Sequence, residues 1–115
     1  MAVATLNTNT LNPFLRINLA QIHEACAAFG VKQLYVFGSI TNERFSPQSD
    51  IDFLVSFTES AQTHFFDNYM NLHYRLAEIT HRKIDLLTED SLKTDPNPFF
   101  NRSVEKAKIL IYDEN

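Results

Sequence analysis

Residues 31–57 read VKQLYVFGSITNERFSPQSDIDFLVSF, two apolar segments rich in β-branched and aromatic residues on either side of a polar loop. Val31 to Phe37 has the content of a β-strand, and Gly38 closes it. Residues 39 to 49 are polar and contain Pro47, which reads as a loop with at most one helical turn just after Gly38. Ile51 to Phe57 is a second strand, with Ile51, Phe53, Val55 and Phe57 on one face and Asp52, Leu54 and Ser56 on the other. The odd-numbered face is expected to be core.

Helical periodicity flanks this pair. Asn12-Pro13 supplies a cap followed by proline at the first helical position, and Leu15, Leu19, Ile22, Cys26 and Phe29 recur at steps of four and three. Gly30 is expected to end that helix. From about Ser60 to Thr80, Phe65, Tyr69, Leu72, Leu76 and Ile79 step in the same way, which predicts a second amphipathic helix. Lys83 to Thr88 is a short third strand. Pro96 and Pro98 break the chain, Phe99 to about Lys106 is helical, and Ile109 to Tyr112 is a short apolar end. The order α, β, β, α, β, α predicts an α+β domain, a small sheet with helices mainly on one face. The same pattern serves parallel and antiparallel strands alike.

Composition narrows the function. The chain has 115 residues, 44% of them hydrophobic, ten Phe and 21% charged, enough for one core and too few for a second substrate domain. Residues 1–12, Asn/Thr-rich and unpatterned, are expected to be a flexible lead into a single domain at 13–115. No apolar run approaches the about 20 residues that span a bilayer, and the first residues lack the pattern of a signal peptide, so a cytoplasmic protein without membrane contact is expected. The single cysteine, Cys26, lies on the apolar stripe and is expected in the core. Fourteen Asp plus Glu against ten Lys plus Arg give a net charge of −4, which argues against direct binding of nucleic acid.

Three acids carry the chemistry. Asp50 and Asp52 are two apart on a strand, so their side chains leave one face with Cα atoms roughly 6.5 Å apart. Two parallel carboxylates in an apolar strand repel each other and resist desolvation unless a cation neutralises them. Oxygen-only ligands select Mg²⁺ or Mn²⁺ over zinc. Asp85 repeats the anomaly between Ile84 and Leu86. Three carboxylates on neighbouring strands suit a two-cation site for phosphoryl or nucleotidyl transfer. Gly38-Ser39 offers the complement: glycine lets backbone N–H groups approach a phosphate, and a helix starting at Ser39 would aim its positive end there.

At these residues the chain resembles the DNA polymerase β-like nucleotidyltransferase superfamily, and within it the minimal nucleotidyltransferase branch. The shared pattern is Gly-Ser, ten residues, then Asp-x-Asp, met here by Gly38-Ser39 and Asp50-Ile51-Asp52. The resemblance runs from about Leu34 to Tyr112 and implies the nucleotidyltransferase fold, built on a small mixed sheet. It implies that Asp50 and Asp52 hold two Mg²⁺ ions, that Asp85 holds the catalytic ion and helps deprotonate the acceptor, and that Gly38 and Ser39 grip the β- and γ-phosphates of ATP. One departure concerns the loop. Relatives often read Ala-Arg-Gly-Glu two positions after Gly-Ser, where this chain has Thr41-Asn42-Glu43-Arg44, so Arg44 is expected to stand in for the missing arginine.

The branch is typically encoded beside an all-helical HEPN ribonuclease and several members act as its antitoxin by adding AMP to a tyrosine. The resemblance therefore implies an antitoxin adenylyltransferase with a HEPN toxin as partner. Two other activities stay open: a silent antitoxin that works by complex formation alone, and transfer of a nucleotide to a small molecule, which usually requires an added acceptor domain. Arg75 and His81 match the short Arg-x(4 to 6)-His signature of HEPN ribonucleases, but the alternation of strands and helices opposes that fold. His23, His64, His73 and His81 lack zinc-like spacing. Arg82 and Lys83 are read as a solvated strand edge, and Phe99 and Phe100 as either an interface or a closure of the core.

Overall fold

The computed structural model describes residues 11–115. The part of the expected flexible lead at residues 1–10 lies outside the described residues. Leu11 is buried and Asn12 caps the first helix, so both belong to the packed domain.

Helix α1 spans Pro13–Ala28, with the Asn12 side chain accepting from the Phe14 N–H at 2.8 Å and Pro13 at its first position. Such a cap contributes about 1 kcal/mol. Gly30 follows at φ 73, and a Cβ there would collide with Ala61, so glycine is required on both counts. Strand β1 (Val31–Phe37) leads into a 3-10 turn, Gly38–Thr41, and strand β2 covers Ile51–Phe57. A second 3-10 turn, Ser60–His64, precedes helix α2 at Phe65–Thr80. Strand β3 (Ile84–Thr88), helices α3 (Glu89–Thr94) and α4 (Pro98–Ala107) and strand β4 (Ile109–Asp113) complete the described chain.

The strands form one mixed sheet in the order β3-β2-β1-β4. β1 lies antiparallel to β2 and β4, whereas β2 and β3 are parallel. A parallel pair needs a long crossover, and α2 supplies it. Leu15, Ile22 and Cys26 of α1 and Leu72, Leu76 and Ile79 of α2 pack on the face bearing Leu34, Val36, Ile51, Phe53 and Val55. This is an α+β arrangement, with the two long helices on one face.

The second face is not bare. Leu54, on the same face as Asp52, is fully buried beneath Phe37, Leu92 and Val104, with Tyr35, Leu87 and Phe100 packed around them. The short helices α3 and α4 provide that cover, so Phe100 closes a core while Phe99 stays exposed at 76%. Helix α3 falls where the sequence reading has no element. Its signals are local: Thr88 caps it by accepting from the Ser91 N–H at 3.1 Å, and Glu89 and Asp90 occupy its first turn. The long helix expected from Ser60 begins as a 3-10 turn instead. Phe65 is consequently at the helix start and 37% exposed, its ring edge-on to Phe57 at 5.5 Å.

Candidate active site

β-Sheet register brings two of the acids together, whereas Asp50, expected on the strand, lies in the loop just before β2. Asp52 and Asp85 are direct partners across the parallel β2–β3 pair, and Phe37 stands opposite Asp52 on β1. The next residue after Phe37 is Gly38, at φ 77, and a Cβ on it would overlap the Asp52 carboxylate. Glycine is therefore needed for its left-handed backbone and for the space it leaves to Asp52. The Gly38 turn and Asp52 are in direct contact.

Electrostatics report the same crowding. Burial pushes the Asp52 carboxyl up from 3.8 to about 6, and the negative charges of Asp85 and Asp50 and a hydrogen bond shared with Asp85 push it the same way. Asp52 is half-buried, Asp50 likewise, and Asp85 exposed. Asp50 acts on Asp52 through its charge, and Asp85 through both charge and the hydrogen bond. Among the described residues no three Asp, Glu, His or Cys side chains lie close enough together to hold a metal ion between them, so the three acids are not gathered into one ligand cluster. Like charges hold such groups apart, and Mg²⁺ is ordinarily bound by one or two carboxylates together with substrate phosphates, so an open arrangement of acids fits that ion. The donor set is oxygen-only, and a divalent cation would relieve the repulsion that raises Asp52.

The turn after β1 differs from a helix start. Gly38–Thr41 is four residues of 3-10 turn, and Asn42 then runs extended. Thr41 Oγ1 donates to the Gly38 carbonyl at 2.6 Å, the Asn42 N–H donates to the Ser39 carbonyl at 3.0 Å, and Ile40 is buried at 3% exposure. These contacts fix the backbone at Gly38 and Ser39 without a helix behind it. Arg44 is exposed, with its backbone N–H donated to Asn42 Oδ1 at 2.8 Å. Nothing observed draws its guanidinium toward the acids.

Helix α2 anchors the outer strand. The Tyr69 hydroxyl donates to the Leu86 carbonyl at 2.6 Å, and His73 Nε2 lies 3.2 Å from the Ile84 carbonyl. These contacts bracket Asp85 and occupy carbonyls of the edge strand β3 that would otherwise lack partners. Burial, and then the Asp85 charge, raise the Tyr69 hydroxyl above its ordinary value. Arg82, expected at a solvated edge, donates instead to the carbonyls of Ser46 and Ser49 at 3.1 and 2.8 Å. The signals for Tyr69, His73 and Arg82 are tertiary. Helical spacing marks Tyr69 as an apolar-stripe residue, and nothing local marks the other two.

A family model described as polymerase beta, nucleotidyltransferase matches residues 20–115. The chain belongs to this nucleotidyltransferase family. Two proteins of Methanocaldococcus jannaschii, each named as a candidate protein adenylyltransferase, are 32% and 29% identical to it over 83 residues, covering 72% of this chain and 79% of each relative. Among solved structures, a candidate minimal nucleotidyltransferase shares the fold with a TM-score of 0.65 at 24% identity, over 83% of this chain and 90% of that one. A toxin-antitoxin structure with AMP-PNP shares it with a TM-score of 0.57 at 18% identity, over 85% and 75% of the respective chains. None of this chain's helices among the described residues is long and apolar enough to cross a membrane.

Proposed function

We propose that this nucleotidyltransferase moves AMP from ATP to a tyrosine hydroxyl of a HEPN ribonuclease toxin and serves in the cytoplasm as that toxin's antitoxin. The observation that carries the proposal is the pairing of Asp52 with Asp85 across β2 and β3, with Gly38 directly against Asp52. Asp50 and Asp52 would hold two Mg²⁺ ions and Asp85 the catalytic one, and bound Mg²⁺ would offset charge on the triphosphate and on the acceptor oxygen. The N–H groups at Gly38 and Ser39 orient the β- and γ-phosphates, and the Ser39 hydroxyl adds a donor. Asp85, the most open of the three acids, accepts the proton of the incoming hydroxyl. The acceptor oxygen bonds to the α-phosphorus as the bond to the β-phosphate oxygen breaks, and pyrophosphate leaves.

Two further facts support this reading. The M. jannaschii relatives are named for adenylylation of proteins, and a toxin-antitoxin structure of the same fold holds an ATP analogue. The net charge of −4 would steer the chain toward a basic partner and away from nucleic acid.

The test mixes the purified protein with α-labelled ATP, Mg²⁺ and the toxin. Label is expected on the toxin, and none with Asp52→Asn. A second reading, inhibition by complex formation alone, is favoured by the exposed position of Arg44 and the absence of glycine from the 41–44 loop. Cells still protected by Asp52→Asn, with no label on the toxin in either case, would establish that second reading.

A further inference from the structure

The loop that delivers Asp50 has no strand to hold it. From Asn42 onward it is stitched by short-range contacts: the Ser49 N–H donates to the Ser46 carbonyl and the Ser46 N–H to Ser49 Oγ, each at 3.0 Å. These bonds make a compact turn but do not fix where the turn sits. Arg82 does. It lies between the end of α2 and the start of β3, three positions before Asp85, and its Nη1 reaches the Ser46 carbonyl at 3.1 Å and the Ser49 carbonyl at 2.8 Å. Ser49 immediately precedes Asp50. The guanidinium also lies 4.6 Å from the centroid of the Phe45 ring and 5.0 Å from that of Phe14, which itself packs against Phe45 at 6.1 Å. One half-buried group thus ties α1, the loop and the entry to β3, and the Ile51 N–H donated to the Lys83 carbonyl at 3.1 Å continues the seam.

Charge-assisted hydrogen bonds and flat stacking on aromatic rings are the interactions at which arginine surpasses lysine. We propose that Arg82 is a positioning residue which, by clamping the Ser46 and Ser49 carbonyls against the Phe14 and Phe45 rings, sets Asp50 in place relative to Asp52 and Asp85. The inference rests on the functional reading of the three acids given above. Arg82 touches neither phosphate nor acceptor in this role. Its effect reaches the reaction through the placement of a carboxylate, and groups that orient ligands in this way typically change metal affinity by about 10- to 100-fold when removed.

Two experiments on the whole chain test the clamp, one without metal and one without turnover. In metal-free Arg82→Ala, hydrogen exchange at the amides of Ser46 and of residues 48–51 should accelerate at least about tenfold, while core amides of α1 and α2 keep their rates. Mn²⁺ binding measured with a non-hydrolysable ATP analogue should weaken about 10- to 100-fold. Arg82→Lys should fall between parent and Arg82→Ala, because charge is kept and the flat stack is lost. Phe45→Leu, which removes one ring and leaves the arginine, should loosen the same amides and serves if Arg82→Ala fails to fold. Parent-like Mn²⁺ binding and parent-like loop exchange in these variants would overturn the clamp alone. A parent protein that binds no Mn²⁺ with the analogue would overturn the reading of the acids and the clamp with it.

Discussion

Replacing Asp52 with Asn should make the metal-free protein more stable while abolishing transfer of AMP. Asp52 is forced into a half-buried place beside two other acids, and its carboxyl rises from 3.8 to about 6. Such a change in a group's protonation corresponds to about 3 kcal/mol if fully felt. The carboxylate retains contact with water, and screening reduces the gain to on the order of 1 kcal/mol. For a domain of this size that is a rise in Tm of about 4 to 6 °C. The sign follows from linkage: the folded carboxyl is raised above its unfolded value, so its relative stability is intact below about pH 4 and is lost as pH rises through about 6. The Asn variant should therefore melt higher than the parent at pH 7.5 in chelator, and level with it near pH 4. Asn can also donate a hydrogen bond to the Asp85 carboxylate, which preserves the link between the strands. Melting curves at the two pH values, followed by labelling of the toxin, make the comparison. A variant that melts below the parent at pH 7.5, with no dependence on pH, would refute the crowding of charge on which the reasoning depends.

Gly38→Ala places a Cβ at φ 77 against the Asp52 carboxylate. The left-handed backbone costs about 1 to 2 kcal/mol, yet AMP transfer should fall by at least about 100-fold in a protein that still gives a cooperative melt; near-parent activity would argue against the turn as a phosphate seat. Leu54→Ala opens the small core under α3 and α4 and should lower stability by about 2 to 5 kcal/mol in denaturant titration, because Leu54 is fully buried. A change under about 1 kcal/mol would mean that those helices do not seal that face. Cys26 is fully buried and its thiol is pushed up to about 12 by burial, so a thiol reagent at pH 8 should leave the folded protein unmodified and react fully in guanidinium. Rapid reaction under native conditions would contradict the packing of α1.

The sequence exposes those parts of the molecule that are written in local chemistry. Asn12-Pro13 and Gly30 mark the ends of α1, and the alternation from Ile51 to Phe57 assigns its odd face to the core that Phe53 and Val55 now occupy. Asp85 stands out because a lone acid in an apolar strand needs a reason, and its register with Asp52 supplies one. Strand direction was hidden, since the same alternation serves a parallel or an antiparallel partner. Leu54 was hidden too: the face bearing Asp52 and Ser56 reads as polar, and only α3 and α4, distant in sequence, reveal it as a second core. Arg44 stands two positions beyond the place where relatives carry their arginine, and the loop around it ends in the open. Arg82 reads as a solvated edge because its partners lie more than 30 residues away and two are backbone carbonyls, which any residue can present. Charged residues near a strand end carry no mark that separates a solvated edge from a clamp.

A crystal structure of the protein with Mg²⁺ and a non-hydrolysable ATP analogue would bear on the three aspartates directly. The expected result is Mg²⁺ about 2.0 to 2.1 Å from carboxylate oxygens of Asp50 and Asp52, with the triphosphate tail along Gly38 and Ser39 and the α-phosphate facing Asp85. Metal and triphosphate bound away from these side chains, or the analogue bound with no metal on Asp52, would contradict the assignment.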